Sequence, residues 1–380
     1  FKDLSNSLDK INLKRKALTV GLILLGLSVF SVQAQDDAHG QKSAIDFDSI
    51  ILVDAFSVTH AAKFGKLIIQ DAGGRMKPAN TFSSELLRKV SKSDTYKDLN
   101  SDQVLLSIMN NPAVWYNVPM IFLKRGNDSL RKLTGQTIKS KYAPLLSFFD
   151  NQGNYKLASQ LEGAYREAVP NQFQKDFIEL DRRVNLLYSA LEGKIMRIFP
   201  LPNDENNKWV SFPELKEANF TGKDSLYVRN ILPLYFQSLR LAQQDKDYTQ
   251  AESLLESIYG FQKKFGSDVL PSEDRVEAEI SYNKYDIFKK LYSWYIYAGT
   301  LFFLLLLIQI FKSNKIISVV VNGFKVLMVL LFVMHTGGLI ARWYISGHAP
   351  WSDAYESMIY VAWATPVSYT HLRAHETKCY

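Results

Sequence analysis

The chain has 380 residues, 45 Lys and Arg against 38 Asp and Glu for a net charge of +7, and one cysteine, Cys379. A single cysteine excludes an internal disulfide, a Cys-x-x-Cys redox pair and a thiolate zinc site. The basic excess does not form a nucleic-acid face: residues 36–290 carry 34 Lys/Arg against 33 Asp/Glu, while residues 1–35 and 291–380 each contribute +3 beside apolar runs, a distribution that fixes membrane orientation.

Residues 1–16 end in Lys14-Arg15-Lys16 and read as a cytoplasmic flank. Residues 17–34 are apolar and close on Val32-Gln33-Ala34, which fits a transmembrane helix and equally a signal-like segment that is cleaved. Both readings place residues 36–290 outside the cytoplasm, and these read as a large, mostly helical extracytoplasmic domain. Near its start, residues 64–78 predict two short strands around Gly73-Gly74, because paired glycines supply the positive φ that tight hairpins need. Over residues 173–198, Phe177, Leu180, Val184, Leu187, Tyr188 and Leu191 recur at the spacing of a helix with one buried face, bracketed by Pro170 and Pro200. Residues 247–265 carry a single helical-repeat-like pattern, too little for an array. Ser272-Glu-Asp, a capping hydroxyl followed by acids, opens a helix that can run through Ile287 and Leu291 into a membrane.

Residues 291–311 hold no charged side chain over 21 positions, about 31 Å of helix at ~1.5 Å per residue, enough for a bilayer core. Tyr292, Trp294, Tyr295 and Tyr297 crowd its start, where amphipathic rings favour the headgroup level, and Lys312 and Lys315 stand just after its end. Residues 312–325 are therefore expected as a cytoplasmic loop, residues 326–344 as the next span, and residues 345–357 as an external loop. A further helix starts over residues 358–365 and is interrupted by the polar residues 366–380. This tail resembles translated linker sequence foreign to the protein, so His371, His375 and Cys379 are not read as a metal site. The expected fold class is mainly α: multi-pass transmembrane helices with a large, mostly helical extracytoplasmic domain containing a short β-hairpin.

No Gly-rich phosphate loop, His-Glu-x-x-His motif or Gly-x-Ser-x-Gly elbow occurs, and Gly73-Gly74-Arg75 is too short to cradle a nucleotide. The chemistry-bearing residues left are two histidines and the aromatics beside them. His335 falls within the 326–344 span, where a polar group usually faces a partner or cavity. Its imidazole can ligate haem iron; a packing role beside Gly337 and Gly338 is the preferred reading. His348 lies in the external loop beside Pro350 and Trp351, and a structural loop role is preferred for it. Trp343, Tyr344 and Trp351 suit interfacial anchoring better than a haem platform.

The loop Arg342-Trp-Tyr-Ile-Ser-Gly-His348-Ala-Pro-Trp-Ser-Asp-Ala-Tyr-Glu-Ser357 closely resembles the short external loop after the first membrane helix of the CcsA-type half of system II cytochrome c synthases, whose pattern reads roughly Gly-His-x-Pro-x-Ser-(Asn/Asp)-x-Tyr-Glu-Ser. Gln70-Asp-Ala-Gly-Gly-Arg-Met-Lys-Pro78, Asn171-Gln-Phe-Gln-Lys-Asp-Phe177 and Asn203-Asp-Glu-Asn-Asn-Lys-Trp-Val-Ser-Phe212 look like the extracytoplasmic segment of the fused CcsB-CcsA form. The resemblance covers about residues 45–365. It implies a multi-pass protein of the bacterial inner membrane, its large domain in the periplasm, that exports haem and attaches it to Cys-x-x-Cys-His of apocytochrome c. The implied partners are apocytochrome c, haem, membrane lipid and thiol-reducing proteins, with no nucleic acid. In the family the haem-ligating histidines flank a later Trp-Gly-x-x-Trp-x-Trp-Asp motif or lie in the upstream half, and this chain contains neither. It is therefore expected to be an internal fragment, with the main haem site elsewhere; His335, His348 and Trp351 are the candidates within it. The alternative is a non-enzymatic, membrane-anchored docking module for cytochrome maturation.

Overall fold

A computed structural model describes residues 47–312, 314–349, 351 and 354–376. The expected flank over 1–16 and the apolar segment 17–34 lie outside the described residues. The chain divides into two units, Phe1–Val269 and Leu270–Tyr380.

The first unit is a helical body pinned by small two-stranded sheets. Helices α1 (Phe47–Val53) and α2 (Val58–Gly65) lead into the antiparallel pair β1 (Ile68–Gln70) and β2 (Met76–Pro78), the hairpin expected around Gly73-Gly74. Its turn is closed by Asp71, whose Oδ1 accepts from the N–H groups of Gly73 at 2.8 Å and Arg75 at 3.1 Å, and Gly74 takes the left-handed conformation at φ +85°. The same device recurs twice. Asp150 caps a turn with Gly153 at φ +79°, and Asp204 caps one with Asn207 at φ +50°. An acceptor side chain at the start and a residue tolerant of positive φ three positions on are what such turns require.

Three further antiparallel pairs appear among the described residues: β3 (Thr95–Tyr96) with β4 (Leu99–Asn100), β5 (Pro119–Phe122) with β6 (Tyr142–Pro144), and β7 (Arg197–Pro200) with β8 (Trp209–Ser211). Between them run α3 (Ala79–Ser91), α4 (Ser101–Asn110), α5 (Pro112–Trp115), α6 (Asp128–Leu133), α7 (Ala158–Arg166) and α8 (Gln172–Leu191), and after them α9 (Gly222–Asp245) and α10 (Thr249–Gly266). Helix α8 starts in a capping box between Asn171 and Gln174 and buries Phe177, Leu180, Val184, Leu187 and Leu191, the face its spacing predicted. It does not reach Ile198. Gly193 turns left-handed at φ +67°, its N–H bonding Ala190 O and that of Lys194 bonding Ser189 O, and residues 197–200 become β7 instead.

Two buried glutamines join the first hairpin to the last. Gln262 of α10 donates from Nε2 to Ile68 O at 2.8 Å and Ile198 O at 3.0 Å, and its Oε1 accepts from Ile68 N at 3.3 Å. Gln70 accepts from Trp209 N at 2.7 Å and donates to Asn207 O at 3.0 Å. Each side-chain amide thus stands in for a missing strand, satisfying backbone groups that would be costly to bury alone. Gly266 lies where a Cβ would come within 2.5 Å of the Trp209 ring, so α10 can approach β8 only through glycine.

His60 of α2 is fully buried against α9 and α10. Its Nε2 lies 2.9 Å from the Tyr235 hydroxyl, its ring stacks on Tyr248 at 5.0 Å, and its Nδ1 is 3.9 Å from Glu252 Oε1. Burial lowers its pKa from 6.5 to about 4, the nearby Glu252 charge opposing that shift only in part.

In the second unit, Ser272 caps α11 (Glu273–Tyr285), as its sequence predicted, by accepting from Arg275 N. A single left-handed residue, Asp286 at φ +43°, joins α11 to α12 (Ile287–Phe311). Helix α13 (Lys315–Ser346) comes next, then α14 (Ala354–Glu376). Glu273–Phe311 and Lys315–Ser346 are long and apolar enough to cross a membrane, and they expose Leu301, Phe303, Leu307, Val326, Val329 and Val333 as a lipid-facing surface would. The expected loop over 312–325 is helical from Lys315 onward, because Asn314 accepts from Ile317 N at 2.8 Å and starts α13 early. The last helix begins at Ala354, four residues before the expected start, and runs through Pro366. The architecture is mainly helical, with two long apolar helices and small two-stranded sheets.

A neutral buried His60 sets a pH dependence. Its folded-state pKa lies below the unfolded value, so its contribution is fully present above pH 6.5 and is lost as pH falls from 6.5 towards 4, with a slope approaching ~1.4 kcal/mol per pH unit. Urea unfolding of residues 47–269 between pH 7.5 and 4.5 should show this loss, and His60→Gln should flatten it. An equal slope in both proteins would contradict the assignment.

Candidate functional site

The site is built from the C-terminal part of α13 and the turn that follows it. Two turns before its last residue, α13 packs on α12 through Gly338, where a Cβ would lie 2.9 Å from Phe288 Cζ and 3.3 Å from Ile287 Cγ2. Gly337 meets nothing within 4 Å, so only one of the two glycines makes the close approach. His335 sits one turn earlier, buried, its ring edge-on to Phe288 at 5.4 Å and near Tyr295 at 6.1 Å. Its Nε2 has no hydrogen-bond partner among the described residues, while the Ile359 backbone of α14 engages the ring. Thr336 accepts from Trp363 Nε1 at 2.8 Å, and Phe332 stacks on the same indole, so α14 is seated on this stretch too. Beside His335 lies a cavity of about 970 Å³, walled by Phe288, Tyr295, Met328, Phe332 and Ile359, with Lys289 on its lining.

At the C-terminus of α13, Gly347 takes φ +74° and its N–H closes on Trp343 O at 2.9 Å, ending the helix. The chain then turns sharply. Ser346 Oγ donates to His348 O at 2.9 Å, and His348 Nδ1 lies 3.2 Å from Ala349 O. With Nδ1–H donating to that carbonyl, Nε2 of the exposed ring carries the lone pair. Trp351 stands edge-on to Tyr360 at 5.4 Å and remains exposed. Across the loop, Arg342 Nε donates to the buried Glu356 carboxylate at 2.7 Å, with the guanidinium 5.5 Å from the Tyr355 ring centre.

The two histidines therefore belong to separate environments. Eleven helical positions separate His335 from Ser346, a rise of about 16 Å at ~1.5 Å per residue. Two axial ligands of one iron sit about 4 Å apart at ~2 Å bonds, so His335 and His348 cannot both bind one haem without unwinding α13. His335 is buried among the Phe288 and Tyr295 rings. His348 and Trp351 present free edges. Among the described residues, no three His, Cys, Asp or Glu side chains gather as a metal site.

The sequence pattern contained Arg342 and Glu356 but gave no reason to pair them. Opposite charges at the two ends of a short loop between apolar runs are the signal that could have done so.

No family model matches the chain. Protein NrfI of Wolinella succinogenes is 33% identical over 307 residues, covering 79% of this chain and 33% of NrfI. The cytochrome c biogenesis protein CcsA of Phaseolus vulgaris is 39% identical over 74 residues, 20% of this chain and 22% of that protein, and CcsA of Lotus japonicus is 48% identical over 42 residues, 11% and 13% respectively. With its two membrane-length helices, the chain is that of a membrane protein of cytochrome c biogenesis. It belongs to the system II cytochrome c biogenesis family. It spans about a third of the length of NrfI.

The Gly338 contact generates a paired expectation. Gly338→Leu forces overpacking at Phe288 and should destabilise α12–α13 packing by about 1–3 kcal/mol, whereas Gly337→Leu meets open space. Thermal unfolding in detergent should show a lowered transition for the first and little change for the second; the reverse order would contradict the packing.

Proposed function

We propose that the chain is part of a membrane cytochrome c synthase that delivers haem outside the cytoplasm and joins it to Cys-x-x-Cys-His of apocytochrome c. The observation that carries this reading is the exposed loop after Gly347, with the histidine edge of His348 and the indole edge of Trp351, in a chain related to NrfI over 79% of its length. Lys312 and Lys315 flank the α12–α13 connection, which favours the cytoplasmic side of a bacterial inner membrane. The opposite ends of these helices, and the first unit, then face the periplasm.

Haem is the substrate here. His348 Nε2 is the group suited to bind its iron, and Trp351 offers a flat apolar surface for the macrocycle. Attachment adds each thiol across a vinyl group: sulfur bonds to one carbon, the thiol hydrogen goes to the other, and no net oxidation occurs. The thiols must arrive reduced. This chain holds one cysteine, so both reacting thiols belong to apocytochrome c, and thiol-reducing partner proteins keep them available. The protein's share is binding, orientation and exclusion of competing oxidation.

The test is covalent haem staining of a reporter cytochrome c in a strain without its own maturation system, supplied with the reading frame that carries this chain. Holocytochrome is expected, reduced roughly tenfold or more by His348→Ala, as for loss of a metal contact, and partly restored by imidazole. His335→Ala should retain more activity. No holocytochrome despite normal membrane levels would remove the synthase reading. Recovery only with a separate synthase present would make the protein a docking module.

A further inference from the structure

The loop that carries His348 is tied at both ends by an ion pair for which the attachment chemistry has no use. Arg342 stands in the last turns of α13 and Glu356 in the first turn of α14, fourteen positions apart, and they meet at 2.7 Å. Only 4% of the Glu356 side chain is exposed, against 22% for Arg342. A carboxylate so buried is costly unless an opposite charge meets it with good geometry. Its place at the start of α14 adds the favourable end of the helix dipole.

The surroundings hold the pair in one arrangement. Tyr282 of α11 faces the guanidinium, Tyr355 lies beneath it at 5.5 Å, and the Arg275 guanidinium packs over Tyr344 at 5.8 Å. A contact that only stabilised the helix packing would serve anywhere along α13 and α14. This one sets the separation between Gly347, where α13 ends, and Ala354, where α14 begins. Within that fixed span the Ser346 hydroxyl and Ala349 carbonyl orient His348.

We propose that Glu356, acting through Arg342, is the positioning residue of the external loop, holding His348 where haem meets it. The haem part of this inference rests on the role of His348 given above. The loop-ordering part does not.

The test uses the chain in lipid nanodiscs with Cys379→Ser and a nitroxide on Ala349→Cys. The spin-label line shape and the Soret band in a haemin titration are read from the same samples. Glu356→Gln should mobilise the label and weaken His348-dependent haem binding roughly tenfold with helicity little changed, and Arg342→Gln should do the same while also lowering the melting temperature, because it leaves the Glu356 carboxylate buried without its cation. The double reversal Arg342→Glu/Glu356→Arg should recover both signals, and neither single reversal should. An unchanged label in Glu356→Gln overturns the proposal whatever haem does. A mobilised label with undiminished haem binding removes the link to haem. If the parent protein shows no His348-dependent binding while the label still responds, the haem reading of His348 fails and the positioning of the loop stands. Should Glu356→Gln reduce folded protein, Glu356→Asp, which keeps the charge but shortens the reach, should give an intermediate label mobility; parental mobility there would overturn the proposal.

Discussion

A buried carboxylate beside a membrane must find a cation, and that requirement organises the second unit. Arg342 meets the buried Glu356 carboxylate at 2.7 Å, which offsets the cost of burying it. The pairing ties the last turns of α13 to the first turn of α14 across the short turn that Gly347 opens. Gly338 supplies the complementary constraint along the helix, since its missing side chain lets Phe288 settle against α13. One contact sets the axial position of the loop and the other sets the distance between α12 and α13.

The first unit solves a different problem, closing a core from hairpins too short to form a sheet. Two- to four-residue strands leave backbone groups unpaired on both edges. Gln70 and Gln262 fill those edges with side-chain amides, and Trp209 and Gly266 lock together where the last hairpin meets α10. Such a body has its own apolar core, from Ile51 through Phe261, and its stability rests on that core and on the amides that close its edges.

What was legible in the sequence had a local physical cause. The Gly-Gly hairpin, the buried face of α8, the Ser272 cap and the long apolar helices each arise from neighbours in the chain. What was hidden depended on distance or on one residue overriding a pattern. Apolar spacing continues past Leu191, but Gly193 ends the helix and Arg197–Pro200 pairs with Trp209–Ser211 instead. The early start of α13 turned on Asn314, a cap set among lysines. Gln262 bonding Ile68 and Ile198 cannot be read from any periodicity. For the site, the loop and its histidine were visible as a motif, while the separation of His335 from His348 and the Arg342–Glu356 pair required the fold.

The proposed function requires that the His348 loop lie on the outer side of the membrane and the α12–α13 connection on the inner side. Cysteine accessibility in intact cells tests it most directly, in a Cys379→Ser background with a reagent that cannot cross the inner membrane. Ala349→Cys and Ser225→Cys should be labelled without permeabilisation, and Asn314→Cys only after it. Labelling of Asn314→Cys in intact cells, with Ala349→Cys protected, would contradict the account.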